Sequence, residues 1–325
     1  MKRIAVLTFT VIICCLVLVG CGSGAFQRES DPRDIYVEHI DTSWNEDDEF
    51  SQNIASVRGA AVVSVISNSI VYENIGNSAV QQIFSGIIIN SQGYVLTSSQ
   101  AAHLPVEAGS GRHLSVYAVL PEIYNVKRQV KLSLVDYNDT AGLAIFKFYD
   151  NFYYYADEDK SEAVPGFQVY AEFSGKDAVT GERCVTIGNS LGNALGNVIG
   201  ADNIDEVELT IMNGIISDAR ADATVLDPLL FGGDTYEYIL TSSPVNFDMY
   251  GGALFDENGY LLGVLAFKIG YESSTGNSND SGYFDRVAAA YPINFVTAYI
   301  DSVATKIQAP IPYTVTSPET NTEVV

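Results

Sequence analysis

Basic residues are scarce in this chain. Lys and Arg number 17 against 40 Asp and Glu, a formal charge of −23 over 325 residues. A surface of that sign repels phosphate, which argues strongly against a protein that binds nucleic acid or anionic lipid through its charge. Histidine is nearly absent: His39, His103 and His113 are the whole complement, and no Cys/His cluster has zinc-site spacing. No Gly-Lys-Ser/Thr follows Gly188, Gly192, Gly196 and Gly200, which argues against a phosphate loop. Asn277-Ser278-Asn279-Asp280-Ser281-Gly282 lacks the closing Glu of a calcium loop and has Ala288 in that place. No cofactor or metal is expected. Apolar material is plentiful, at 47% hydrophobic and 11% aromatic residues. That excludes global disorder and fits one large domain or two fused barrel-like halves.

Usable cysteine is missing too. Met1-Lys2-Arg3 is a basic head, and Ile4 to Val19 is an apolar run of signal-peptide length, short for a membrane span. It ends in Leu18-Val19-Gly20-Cys21, which resembles a bacterial lipobox; an ordinary signal or an anchor helix is the alternative. On the lipobox reading Cys14 and Cys15 leave with the signal peptide and Cys21 carries lipid. Cys184 is then alone, so no internal disulfide forms. Within Cys184-Val185-Thr186-Ile187 it reads as a small buried hydrophobe. The expected organisation is a signal peptide over 1–20, an acidic flexible tether over 21–50, a folded domain over 51–308 and a disordered tail over 309–325. Glu46-Asp47-Asp48-Glu49 belongs to the tether as a solvated run. The expected location is the bacterial cell envelope, on the extracytoplasmic face of the membrane to which Cys21 holds the chain.

Between the ends the pattern is strand-like. Ala60–Ile66, Ile83–Ile89, Tyr94–Thr97, Leu114–Leu120, Val126–Val135 and Leu143–Phe148 are short β-branched or aromatic runs separated by turn residues. Val185–Ile187, Val207–Ile216, Tyr236–Leu240, Ala253–Phe255 and Tyr260–Phe267 form a second set. Glu257-Asn258-Gly259 is a hairpin signal within that set. Only Asn294–Lys306 has a helical period, with Phe295, Ala298, Tyr299 and Val303 on one face. The expectation is an all-β fold of two antiparallel six-stranded barrels with a C-terminal helix.

Four strings go beyond spacing. They are Ser85-Gly86-Ile87-Ile88-Ile89 leading to Gly93-Tyr94-Val95-Leu96-Thr97; Val185-Thr186-Ile187-Gly188-Asn189-Ser190-Leu191-Gly192; Thr210 with Gly214-Ile215-Ile216-Ser217; and Gly251-Gly252-Ala253-Leu254 followed by Asn258-Gly259 and Gly263-Val264. In this order they resemble trypsin-like serine proteases of the HtrA/Deg type, over roughly residues 55–300. The resemblance implies a chymotrypsin-like double barrel, with no stretch left for the PDZ module that many relatives carry.

It also implies where a Ser-His-Asp triad should sit, and those positions differ. The base falls on Gln100, whose amide cannot accept a serine proton at neutral pH. The orienting acid falls on Gly142, ahead of Leu143-Ala144-Ile145-Phe146-Lys147, and the nucleophile on Tyr250. The two oxyanion-hole donors become the N–H groups of Asp248 and Tyr250, with negative charge placed where the transition state would build it. A relocated triad would draw on His103, Asp139 and Ser243 or Ser242, each displaced from its expected place. Tyr250 itself, a phenol with a pKa of about 10 and no identifiable base, is a poor nucleophile. The reading is therefore a membrane-anchored protease homologue that has lost its chemistry and binds extended peptides or unfolded proteins. An active endopeptidase using His103, and a structural lipoprotein with a plugged cleft, are the alternatives.

Overall fold

The structure, a computed structural model, describes residues 31–44, 49–73, 76–103, 110–126, 129–189, 209–222, 237–269 and 287–316. The signal peptide, Cys21, most of the acidic run, the glycine-repeat region past Asn189 and the calcium-like loop lie outside these residues. The chain divides into two units, residues 1–33 and Asp34–Val325, and every described strand and helix belongs to the second.

Strand β1 (Asp34–Val37) precedes helix Phe50–Arg58. Six strands then close a barrel: β2 (Val62–Glu73), β3 (Gly76–Ile88), β4 (Tyr94–Ser98), β5 (Gly111–Val119), β6 (Val130–Asn138) and β7 (Leu143–Phe148). Next come β8 (Asn151–Tyr155), β9 (Ala163–Pro165) and β10 (Phe173–Ser174). The second barrel uses β11 (Arg183–Asn189), β12 (Leu209–Asp222), β13 (Glu237–Thr241), β14 (Ala253–Asp256), β15 (Leu261–Ile269) and β16 (Val287–Pro292). Its sheet runs β14-β11-β12-β13-β16-β15, and pairing of β14 with β15 closes it. Helix Ile293–Ile307 and β17 (Val315–Thr316) finish the described chain. The two expected six-stranded barrels and the C-terminal helix are present.

Local chemistry explains the turns. Between β3 and β4, Asn90 Oδ1 accepts from the N–H groups of Gln92 and Tyr94, and Gly93 supplies φ 75°. Between β14 and β15, Asp256 Oδ1 accepts from Asn258 and Tyr260, and Gly259 takes φ 77°. Inside, Val63, Val65, Ile87, Val95, Ile145 and Phe146 are fully or almost fully buried and fill the first core.

Four elements depart from the expectation. Within the span expected to be a flexible tether, β1 pairs in parallel with β8 and buries Ile35 and Val37. Helix Phe50–Arg58 has only nine residues, too few for a convincing period. Tertiary contact holds it: Ile54 is fully buried, and Arg58 donates to Gly259 O at 3.0 Å and meets Glu172 at 3.1 Å. Strand β16, Val287-Ala288-Ala289-Ala290-Tyr291-Pro292, is alanine-rich and carries little strand propensity of its own. Burial between β13 and β15 makes it a strand. Inside the tail expected to be disordered, β17 pairs with β10, and Phe173 N and Gly175 N donate to Thr314 O and Thr316 O at 2.8 and 2.9 Å.

The β14–β15 hairpin also sets a pH dependence. Asp256 is fully buried, and burial pushes its carboxyl above the ordinary 3.8 against the pull of two backbone N–H groups and of Lys176, whose Nζ lies 3.7 Å away. The folded chain thus holds this proton more tightly than the unfolded chain. Its contribution is complete below pH 3.8 and is lost as pH rises through the elevated folded value. Asp256→Asn keeps an acceptor oxygen for the turn and does not titrate. The fall in unfolding temperature on raising the pH from 4 should therefore be shallower in this variant than in the wild type, as thermal melts across a pH series will read.

Candidate functional site

The end of β4 is where the two barrels meet. Thr97 Oγ1 donates to Ser85 O at 2.5 Å, while Ser85 Oγ donates to Asp248 O at 2.8 Å and accepts from Asn189 N at 2.7 Å. Ser85 N donates to Tyr250 O at 3.0 Å. Gly251, at φ 85°, lies so close that a Cβ there would sit 2.4 Å from Ser85 O and 2.7 Å from Ser98 N. On the other side Ser99 N donates to Gly142 O at 2.9 Å. Gln100, Gly142 and Tyr250, read from separate strings, thus converge around residues 97–100. Ser85→Ala removes two buried hydrogen bonds from this seam and should cost roughly 2 kcal/mol, measured by denaturant unfolding.

Gln100 is exposed on the 3-10 turn Ser99–Ala102, its N–H on Ser98 Oγ and its carbonyl accepting from His103 N. Gly142 closes the turn from Asp139 at φ 68°. A Cβ on it would stand 2.0 Å from the hydroxyl oxygen of Tyr291 and 3.0 Å from its Cζ. Tyr291, near the end of β16, stacks on Phe295 with ring centroids 5.3 Å apart. The place of an orienting carboxylate is therefore taken by a phenol from the second barrel. Sequence reasoning missed Tyr291, because a small residue matched to a large one across two barrels leaves no mark on spacing.

Tyr250 is packed inward at 6% exposure. Before it, a 3-10 turn spans Phe247–Met249, and Asp248 N donates to Asn246 Oδ1 at 3.1 Å. The N–H that an oxyanion hole would use is thus turned onto the chain's own asparagine. Its neighbour Gly252 belongs to the second barrel's wall, accepting from Leu265 N, while Gly251 N donates to Leu265 O, both at 2.8 Å.

The displaced residues are partly brought together. His103 Nε2 lies 2.7 Å from Asp139 Oδ1, and the imidazole meets the Tyr137 ring edge-on at 4.6 Å. In a working triad Nε2 faces the nucleophile and Nδ1 faces the acid. Here Nε2 faces the acid. Ser243 is fully buried in the second barrel, its N–H on Thr241 Oγ1 and its hydroxyl donating to Met212 O at 3.4 Å. Ser242 Oγ accepts from Ile215 N. The remaining histidines have structural partners: His113 Nε2 lies 3.0 Å from Ser67 Oγ, and His39 lies beside Gln168. Burial pushes the His113 imidazole below its ordinary value, against the Ala101 carbonyl. Cys184 is fully buried, with Sγ 3.1 Å from Thr241 Oγ1 and its thiol pushed up by burial, as suits a packing residue. Among the described residues no group of three or more His, Cys, Asp or Glu could hold a metal ion.

Comparison with known proteins agrees with this architecture. No curated protein matches the chain. Among solved structures, the HtrA-type protease AlgW with decapeptide is similar at 19% identity and a TM-score of 0.52, over 78% of this chain and 67% of that one. An alanine variant of that protease with a tripeptide is similar at 19% identity and 0.51, over 80% and 64%. At that identity the likeness is one of fold. The profile of the trypsin-like peptidase domain matches residues 84–264, more than half of the chain. That stretch runs from the seam at Ser85 through both sets of barrel strands, and the chain belongs to the trypsin-like peptidase domain family.

Proposed function

We propose that this chain is a lipid-anchored, extracytoplasmic member of its family that lacks proteolytic chemistry and holds extended peptides in the cleft between its barrels. The observation that carries the loss of chemistry is the close approach of Tyr291 to Gly142: a carboxylate at 142 would sit on a left-handed backbone that strains a side chain and would run into the Tyr291 hydroxyl. Beside it, Gln100 offers no base, and His103 spends Nε2 on Asp139. For peptide binding, the supporting feature is an open strand edge. Past the irregularity at Leu265/Phe267, β15 pairs with β16 alone among the described strands, over Phe267–Ile269. An extended peptide can add there through backbone hydrogen bonds. The similar HtrA-type structures hold peptides, which is consistent with such use.

Tyr250 favours a second reading. Packed inward at the old nucleophile position, it suits a structural lipoprotein whose cleft is plugged. One experiment separates the readings. The chain is incubated with unfolded casein and a degenerate peptide library, and both cleavage and retained peptides are measured by mass spectrometry, beside His103→Ala. Retained peptides without cleavage support the binding reading; neither retention nor cleavage supports the plugged cleft. Cleavage that His103→Ala abolishes would overturn both. Lipid on Cys21 is read separately, from the mass of the N-terminal peptide of protein made in bacteria.

A further inference from the structure

The small sheet outside the barrels breaks the usual alternation of strands with one wet face. Strand β8 reads Asn151-Phe152-Tyr153-Tyr154-Tyr155, aromatic on both faces. The inner face is accounted for, because Phe152 is buried with Ile35 and Val37 of β1. The outer face carries Tyr36, Tyr153 and Tyr155. Tyr36 is in register with Tyr153 and stacks on it at 5.1 Å, with Tyr155 6.2 Å away. Pro165 and Ala163, both exposed, stand opposite Tyr153 and Tyr155 on β9 and extend the same face. Tyr36 is 54% exposed.

The rim of this ladder is acidic. Asp34, Glu38, Glu158, Asp159 and Glu162 are all exposed, on or just past β1 and on the β8–β9 connection. One cation already answers that arrangement from within the chain. Lys160 Nζ lies 2.7 Å from Glu38 Oε1 and sits over the Tyr155 ring at 5.8 Å. Its ammonium is held above the ordinary range, first by the hydrogen bond to Glu38. A carboxylate beside a tyrosine face therefore takes a cation here, and Tyr36 offers the same chemistry on a ring that is more than half exposed. Strand β1 pairs with β8 alone among the described strands, so its other edge can receive an extended chain.

We propose that the tyrosine face of the β1-β8-β9 sheet docks a basic, extended polypeptide segment. It adds beside β1 and lays alternate Arg or Lys side chains over Tyr36 and its stacked neighbours, against the acidic rim. The site is separate from the cleft and does not depend on what the cleft does. Charge complementarity selects this partner over an anionic membrane, which a chain at −23 repels.

The test uses the full chain in a neutral detergent and two synthetic peptides of about ten residues with the same composition. One alternates Arg and Thr; the other places all Arg before all Thr. Binding is followed by fluorescence anisotropy at about 150 mM salt, where the Debye length is about 8 Å and diffuse attraction is damped. The alternating peptide should bind at least about tenfold tighter than the block peptide. Tyr36→Leu, which keeps bulk and removes the ring face, should erase that advantage, whereas Tyr36→Phe should keep it. The unfolding temperature of each variant shows that the sheet is intact. Equal binding of the two peptides, no binding at this salt, or an advantage that survives Tyr36→Leu would each overturn the proposal.

Discussion

A chain carrying Gln100→His, Gly142→Asp and Tyr250→Ser is expected to hydrolyse unfolded casein no faster than the wild type. By sequence position it restores every member of a Ser-His-Asp triad, and in a working protease that difference is worth roughly a millionfold in turnover. Two features hold the rate down. A carboxylate introduced at position 142 would have to occupy space held by the Tyr291 hydroxyl, on a backbone at φ 68°. The oxyanion N–H of residue 248 remains bonded to Asn246 Oδ1. Room for the carboxylate returns only when Tyr291 is cut back as well, so any recovered turnover should depend on adding Tyr291→Ala. The check is initial-rate hydrolysis of labelled casein by the wild type, the triple variant and the triple variant with Tyr291→Ala. Turnover by the triple variant alone would show that the corner relaxes and that its difference from the wild type rests on side-chain identity only.

The same corner yields the largest expected stability effect. Gly142→Ala forces a side chain into the left-handed region, at about 1–2 kcal/mol, and drives it into Tyr291, at roughly 1–3 kcal/mol for overpacking. About 3 kcal/mol in total lowers the unfolding temperature of a chain this size by roughly 4–5 °C. Tyr291→Phe removes the hydroxyl from the path of the new methyl and leaves Cζ at 3.0 Å. The cost of Gly142→Ala should then shrink by about 1 kcal/mol in that background without vanishing. The backbone part remains. A double-mutant cycle in guanidinium measures the coupling directly. Zero coupling would mean that Tyr291 turns away freely and that only the backbone disfavours a side chain at 142.

Most of the barrel framework could be read from residue order, because β-branched runs and turn residues are local. Leu143–Phe148 has the bounds that its apolar run predicts, and Gly93 and Gly259 close the turns that their neighbours announce. What stayed hidden is what depends on distant partners. Ala288, Ala289 and Ala290 form a strand only because β13 and β15 flank them. Phe50–Arg58 is a helix held by Gly259 and Glu172, far away in sequence. At the site, the residue types at 100, 142, 248 and 250 were legible. The Tyr291 hydroxyl against Gly142 and the Asn246 side chain on Asp248 N were not, since each depends on the folded chain; His103 and Asp139 were paired from sequence, and the fold brings them together through Nε2 and without the serine.

The seam between the barrels is made of groups outside the triad and the oxyanion donors: the Ser85 and Thr97 hydroxyls, the carbonyl of Tyr250 and the missing side chain of Gly251. None of them asks what stands at 100, at 142 or on the side chain of 250. Chemistry and architecture are therefore separately mutable here. Side chains at 100 and 250 can change without removing any of the hydrogen bonds that join the two barrels here, so the joint carries no record of which groups stand beside it.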